Sequence, residues 1–151
     1  MPDSDSHLLI RADASPTMGA GHIMRCLALA QAWQDLGGSV TFACTKLPET
    51  LHTRLKSEKV DIFSLKVAAG SSSDAEATLR LADKKSATCL VTDGYQFAQS
   101  YHEKIAGFSG VSLTIDDYGQ LDQYQSSFVL NQNYGVSDSL YRNRSETTEL
   151  L

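Results

Sequence analysis

Leu8-Leu9-Ile10-Arg11-Ala12-Asp13-Ala14-Ser15-Pro16-Thr17-Met18-Gly19-Ala20-Gly21-His22 is the stretch that decides the fold. Leu8-Leu9-Ile10 is a short apolar run that stops at Arg11 and Asp13, the pattern of a buried strand. Ser15, Pro16, Gly19 and Gly21 make the next segment a loop. Ile23, Leu27, Ala30 and Leu36 then recur at helical spacing, thickened by Cys26, Leu29 and Trp33. A helix is expected over about 22–36, ended by Gly37-Gly38. Strand, glycine-bearing loop and helix in that order open a parallel α/β sheet.

The rest of the chain repeats the alternation. Strands are expected at 40–44, 60–65, 89–93, 111–115 and 128–130, where β-branched, aromatic and apolar residues run together. Helices are expected at 48–57, 74–84 with Asp74 as its cap, and 98–106, and the small, polar stretch 68–73 reads as a loop. Strands that are apolar almost throughout belong to sheets covered on both faces. The fold class expected is α/β, a Rossmann-like open parallel sheet with helices on both faces and no internal repeat.

Composition narrows the function. The chain has 151 residues, 42% hydrophobic and 21% charged, which fits one globular domain. A net charge of -5 argues against a nucleic-acid partner, which would call for a basic stripe. No apolar run approaches the roughly 20 residues that span a bilayer. The polar, acidic opening Met1-Pro2-Asp3-Ser4-Asp5-Ser6 is unlike a signal peptide, so no membrane partner and a cytoplasmic location are expected. Cys26, Cys44 and Cys89 are far apart with no C-x-x-C pair; they read as core residues, Cys26 being kept open because of its neighbours. No metal and no cofactor are expected.

Polar residues gather where the strands end: Asp13, Asp93, Asp116, Asp117 and Asn131. Open α/β sheets bind ligands outside the carboxyl ends of their strands. Asp and Asn also cap helices and start turns, so each has a capping reading beside the ligand reading. Gly19-Ala20-Gly21-His22 lies between strand and helix, where free N–H groups and a partial positive charge face a ligand. It lacks the third glycine of a dinucleotide fingerprint and the Gly-Lys-Ser/Thr of a P-loop, so NAD and ATP are both poor fits. A helix N-terminus and a cation one turn on, Arg25, both disfavour added positive charge, so His22 reads as a neutral imidazole able to take a proton from water. Asp13, on the adjoining strand, would then hold its tautomer. The alternative is a His22 that merely neighbours the helix cap. His7, His52 and His102 read respectively as leader, solvated helix and surface helix.

Arg11-Ala12-Asp13-Ala14-Ser15, Met18-Gly19-Ala20-Gly21-His22 and Arg25-Cys26-Leu27-Ala28-Leu29-Ala30 resemble the opening of the PseG-type UDP-sugar hydrolases. These enzymes hydrolyse UDP-2,4-diacetamido-2,4,6-trideoxy-β-L-altropyranose in pseudaminic acid biosynthesis. The resemblance continues in order at Thr92-Asp93-Gly94-Tyr95, Ile115-Asp116-Asp117 and Leu130-Asn131-Gln132-Asn133. It implies the N-terminal half of a two-domain GT-B arrangement like that of the peptidoglycan glycosyltransferase MurG. It implies a leader at 1–7, a catalytic domain at 8–140, and at 141–151 the start of a linker to a C-terminal UDP-binding domain, missing here or supplied as a separate chain. The substrate implied is a nucleotide sugar, cleaved with inversion by water that His22 activates. Asp13 and Tyr95 join His22 in the catalytic set; Arg11, Gly19, Gly21, Arg25, Asp93, Asp117 and Asn131 make up the substrate-binding set. UDP is a good leaving group, so one base can replace the carboxylate pair of ordinary glycosidases. Without the UDP-binding half, weak or no hydrolysis is expected. The alternatives are a GT-B glycosyltransferase domain, which uses an acceptor in place of water, and a non-catalytic sugar-binding or interaction module.

Overall fold

The computed structural model describes residues 5–151. β1 (His7–Ala12) is buried along its whole length because it runs through the middle of a sheet covered on both sides. Side chains alternate along a strand, and the two cores follow that alternation. Leu8, Ile10 and Ala12 face one core with Ile23, Cys26, Leu27 and Ala30 of α1 (Gly21–Asp35) and Leu55 of α2 (Glu49–Ser57). Leu9 faces the other with Ala75, Leu81 and Ala82 of α3 (Ser72–Lys84) and Tyr101 and Ile105 of α4 (Gln99–Ile105).

The remaining strands are β2 (Ser39–Cys44), β3 (Asp61–Ser64), β4 (Cys89–Asp93), β5 (Val111–Ile115), β6 (Phe128–Leu130) and β7 (Glu149–Leu150). All seven pair in parallel in the order β3-β2-β1-β4-β5-β6-β7. The chain moves outward from β1 to β3, then returns to lay β4 on the other side of β1. That reversal opens a crevice at the carboxyl ends of β1 and β4. The fold class is the expected Rossmann-like one, with α1 and α2 on one face and α3 and α4 on the other. Among the described residues no helix is long and apolar enough to cross a membrane.

Four local expectations are corrected. His7 is not part of a leader: it begins β1, and its ring bonds Ser39 Oγ at 2.7 Å and Thr41 Oγ1 at 3.0 Å on the neighbouring strand. The cap of α3 is Ser71, whose hydroxyl accepts from Asp74 N at 3.1 Å; Asp74 is drawn inward to a buried arginine instead. His102 is buried against the sheet, where loss of solvent pushes its pKa down to about 4. The polar tail at 141–151 is tied to the sheet: Tyr141 ends a one-turn 3-10 helix (Asp138–Tyr141) and is buried, and Glu149–Leu150 forms β7 on β6. Tyr141 donates to the Asp116 carbonyl at 2.5 Å, and Tyr124 and Tyr141 meet edge-on at 5.2 Å, so a small third core holds this segment down.

Candidate functional site

α1 begins at the carboxyl end of β1 with no side-chain cap, so the N–H groups of its first turn lack side-chain partners. His22, its second residue, is buried and reaches the end of β4. Asp93 is the last residue of β4, in register with Ala12, on the face that Val91 shares with α1. The two meet: His22 Nδ1 donates to Asp93 Oδ1 at 2.7 Å. The carboxylate is fully buried, so the N–H is assigned to Nδ1, leaving Nε2 as the nitrogen available to a ligand.

Arg25, one turn along α1, completes the cluster. Its Nε reaches Asp93 Oδ2 and its Nη2 reaches Asp93 Oδ1, both at 2.6 Å, and Nη1 reaches Asp117 Oδ2 at 2.6 Å. Nη2 also lies 3.3 Å from His22 Nδ1, so two N–H donors converge on one carboxylate oxygen. Burial alone would push the Asp93 carboxyl up; the bonds from Arg25 and His22 outweigh it and hold the group below its ordinary value. The Asp93 bond, and against burial the Asp117 bond, raise the pKa of Arg25. Asp117 Oδ1 is buried and has no hydrogen-bond partner among the described residues. Cys26 Sγ lies 3.5 Å from Asp93 Oδ2, and burial followed by the Asp93 charge keeps it a thiol.

His22, Arg25 and Asp117 open onto a cleft of about 390 Å³, lined also by Met18, Gly21, Tyr95 and Gln132, with Asp93 and Cys26 buried behind it. Tyr95 is half exposed and meets the His22 ring edge-on, centroids 4.9 Å apart; Tyr118 continues the aromatic wall 5.5 Å beyond it. Gly19 closes the preceding loop, donating to Ser15 O at 2.8 Å with φ of 80°, a conformation that favours glycine.

Asp13 does not hold His22. It points to the other side of β1 and accepts from Thr45 N (2.6 Å), Lys46 N (3.0 Å), Thr45 Oγ1 (2.9 Å), Arg11 Nη2 (2.9 Å) and Gln96 Nε2 (3.0 Å). Asp93 takes the orienting place instead, because it ends β4 on the α1 face of the sheet, within reach of both His22 and Arg25. Arg11 is fully buried and cannot touch a ligand: it pairs with Asp74 through Nε at 2.9 Å and Nη2 at 2.7 Å, and lies 4.9 Å over the Phe97 ring. Asp116 is a loop organiser, accepting from the N–H groups of Tyr118, Gly119 and Gln120 and from the Tyr124 hydroxyl. Asn131 bonds Asp117 O at 3.1 Å and Tyr141 Oη at 2.7 Å, so it braces the Asp117 loop from behind the cleft.

The structure thus brings together His22, Tyr95, Arg25, Asp93, Asp117 and Gly21, and sets Arg11, Asp13 and Asn131 apart from the cleft. The sequence reading did not assign Gln132 and Met18 to the site, although both stand within the motifs that carry the resemblance. Among the described residues, no His, Cys, Asp and Glu cluster is placed to hold a metal ion.

No family model and no curated protein matches the chain. Several solved structures share its fold. The Acinetobacter baumannii MurG structure matches at a TM-score of 0.62 and 12% identity, over 96% of this chain and 45% of that one. A glycosyltransferase from Rickettsia africae ESF-5 matches at 0.60 and 11%, over 96% of this chain and 42% of that one. The chain therefore has a Rossmann-like fold of the kind found in GT-B glycosyltransferases, and it spans less than half the length of these two proteins.

Proposed function

We propose that this chain is the catalytic half of a sugar-nucleotide enzyme of GT-B architecture, transferring a glycosyl group from a UDP-linked sugar, with His22 as general base. The observation that carries the reading is the His22–Asp93 pair at 2.7 Å, with His22 lining the cleft at the sheet's switch point and Asp93 buried behind it. In the reaction, His22 Nε2 takes the proton of an attacking hydroxyl. The nucleophile's oxygen bonds the anomeric carbon, and the C–O bond to UDP breaks with its electron pair on the departing phosphate. Asp93 keeps Nδ1 protonated and stabilises the imidazolium that forms. Arg25 is a poor phosphate clamp: three of its five N–H donors go to Asp93 and Asp117, whose two negative charges outweigh its own. The diphosphate therefore depends on groups other than Arg25, consistent with a second, UDP-binding domain. Tyr95, Asp117 and Gln132 would face the sugar.

The likeness in fold to glycosyltransferases favours an acceptor hydroxyl as nucleophile. The residue pattern from Arg11 to Ala30 favours the second reading, hydrolysis, in which water takes the acceptor's place on the same base. The test joins the chain to a UDP-binding domain of the same architecture and measures UDP release with and without acceptor. Free sugar formed without acceptor identifies the hydrolase; release that needs the acceptor identifies the transferase. His22→Ala should lower turnover by about 10²–10⁴-fold. Undiminished turnover in that variant removes His22 from the mechanism.

A further inference from the structure

The segment that carries Tyr95 is a tight loop between β4 and α4, and it is gripped from beneath. Gln96 Nε2 donates to Asp13 Oδ2 at 3.0 Å. The amide orientation is fixed, because its oxygen would be repelled by the carboxylate. Phe97 is fully buried, and its ring lies under the Arg11 guanidinium at 4.9 Å. Gly70 packs so closely on the Gln96 carbonyl that a Cβ there would stand 2.1 Å from that oxygen. Gln120 Nε2 reaches the carbonyls of Gly94 and Phe97 at 3.5 and 3.4 Å. The Tyr95 side chain is 52% exposed; its ring meets those of His22 and Tyr118, and its hydroxyl interacts with the Tyr118 hydroxyl.

We propose that Asp13 and Gln96 are positioning residues, which act across the sheet to hold the Tyr95 ring edge-on against the His22 imidazole. The acid expected to orient the histidine instead orients the histidine's aromatic neighbour. Asp13 suits the task because it is fixed by four other donors from Arg11, Thr45 and Lys46, and Gln96 is the adjustable link. The functional weight of this placement rests on the reading above that Tyr95 and His22 share a site; the placement itself does not.

The test uses the whole chain without ligand and reads the His22 ring C–H resonances by NMR. A tyrosine ring edge-on at 4.9 Å imposes a ring-current shift that its displacement removes. Tyr95→Leu sets the full change. Gln96→Ala should produce more than half of it, and Asp13→Asn a smaller change of the same sign, in samples whose cooperative thermal unfolding lies well above the measuring temperature. Gln96→Ala is the primary variant because Gln96 lies at the edge of the buried network; should Asp13→Asn fail to fold, the claim still stands or falls on it. His22 resonances in folded Gln96→Ala that coincide with the wild type overturn the proposal. So does a shift caused by Tyr95→Leu that Gln96→Ala does not share. Loss of the His22 role in turnover with the resonance change intact would sink the functional reading and leave the positioning in place.

Discussion

Two buried clusters of identical make-up, one arginine and two aspartates, sit on opposite faces of the same sheet end. Arg11 with Asp13 and Asp74 lies on the α3 side; Arg25 with Asp93 and Asp117 lies on the α1 side. In the first, Arg11 is wholly buried and every carboxylate oxygen has partners. In the second, the arginine side chain is 16% exposed, a histidine shares the acid, and Asp117 Oδ1 has no partner among the described residues. Gln96 Oε1, at the edge of the first network, is also buried without a partner among the described residues, but no residue of that network lines the cleft. A sealed network fixes geometry, whereas one open to a cleft with spare hydrogen-bonding capacity can take a ligand. The same residue types thus divide into a structural device and a candidate chemical one, and what divides them is access to the cleft.

The largest effect should come from breaking the sealed cluster. Arg11→Met leaves two buried carboxylates without their counter-charge and should cost about 3–5 kcal/mol in urea-induced unfolding. A loss below about 1 kcal/mol would mean that the network is not structural. Breaking the open cluster should instead show in turnover. Asp93→Asn, in the chain joined to a UDP-binding domain, should lose about 10²-fold or more in kcat with less destabilisation than Arg11→Met. Equal losses of stability in the two variants would erase the distinction.

Acid titration sharpens the contrast further, because His102 lies on the sealed face. Its folded pKa, about 4, is below its unfolded value of 6.5, so the unfolded chain binds the extra proton between those values. Stability should therefore fall as pH drops from 6.5 toward 4, by on the order of 3 kcal/mol at most. His102→Leu should flatten that slope in denaturation at stepped pH. Asp13 and Asp93, both held low, act in a lower window. Their contribution is present above the unfolded value of 3.8 and disappears as pH falls through the lowered folded values. The smallest effect belongs to the helix that feeds Asp74 into its network: Ser71→Ala should cost about 1 kcal/mol through loss of the cap. Together the three stability variants rank anchor, buried base and cap on one face, leaving Asp93 as the test of the other.

Much of the architecture was legible before any coordinates. Apolar strands ending in polar residues, and helical spacing after Gly21, depend only on local propensity and burial, and they returned the right element types in the right order. β7 was not legible: Glu149–Leu150 is too short and polar to read as a strand and exists because β6 offers it an edge. His102 misled for a related reason. Its flanking Tyr101 and Glu103 look like a surface face, but α4 turns the imidazole toward the sheet.

Sequence alone placed His22 at the head of a helix, Asp93 and Asp117 at strand ends, and Tyr95 just past one of them, because those statements need only neighbours along the chain. Which acid meets which base depends on strand order, and strand order is a long-range choice. Asp13 is closer to His22 in sequence, but it turns to the α3 face with Arg11, whereas Asp93 ends β4 on the α1 face. Tertiary structure therefore gave the histidine Asp93, gave Asp13 to Arg11 and Gln96, and withdrew Arg11 from the cleft altogether. Sequence fixes which groups are available at the carboxyl edge of the sheet; only the packing of helices on its two faces decides which of them share a cavity.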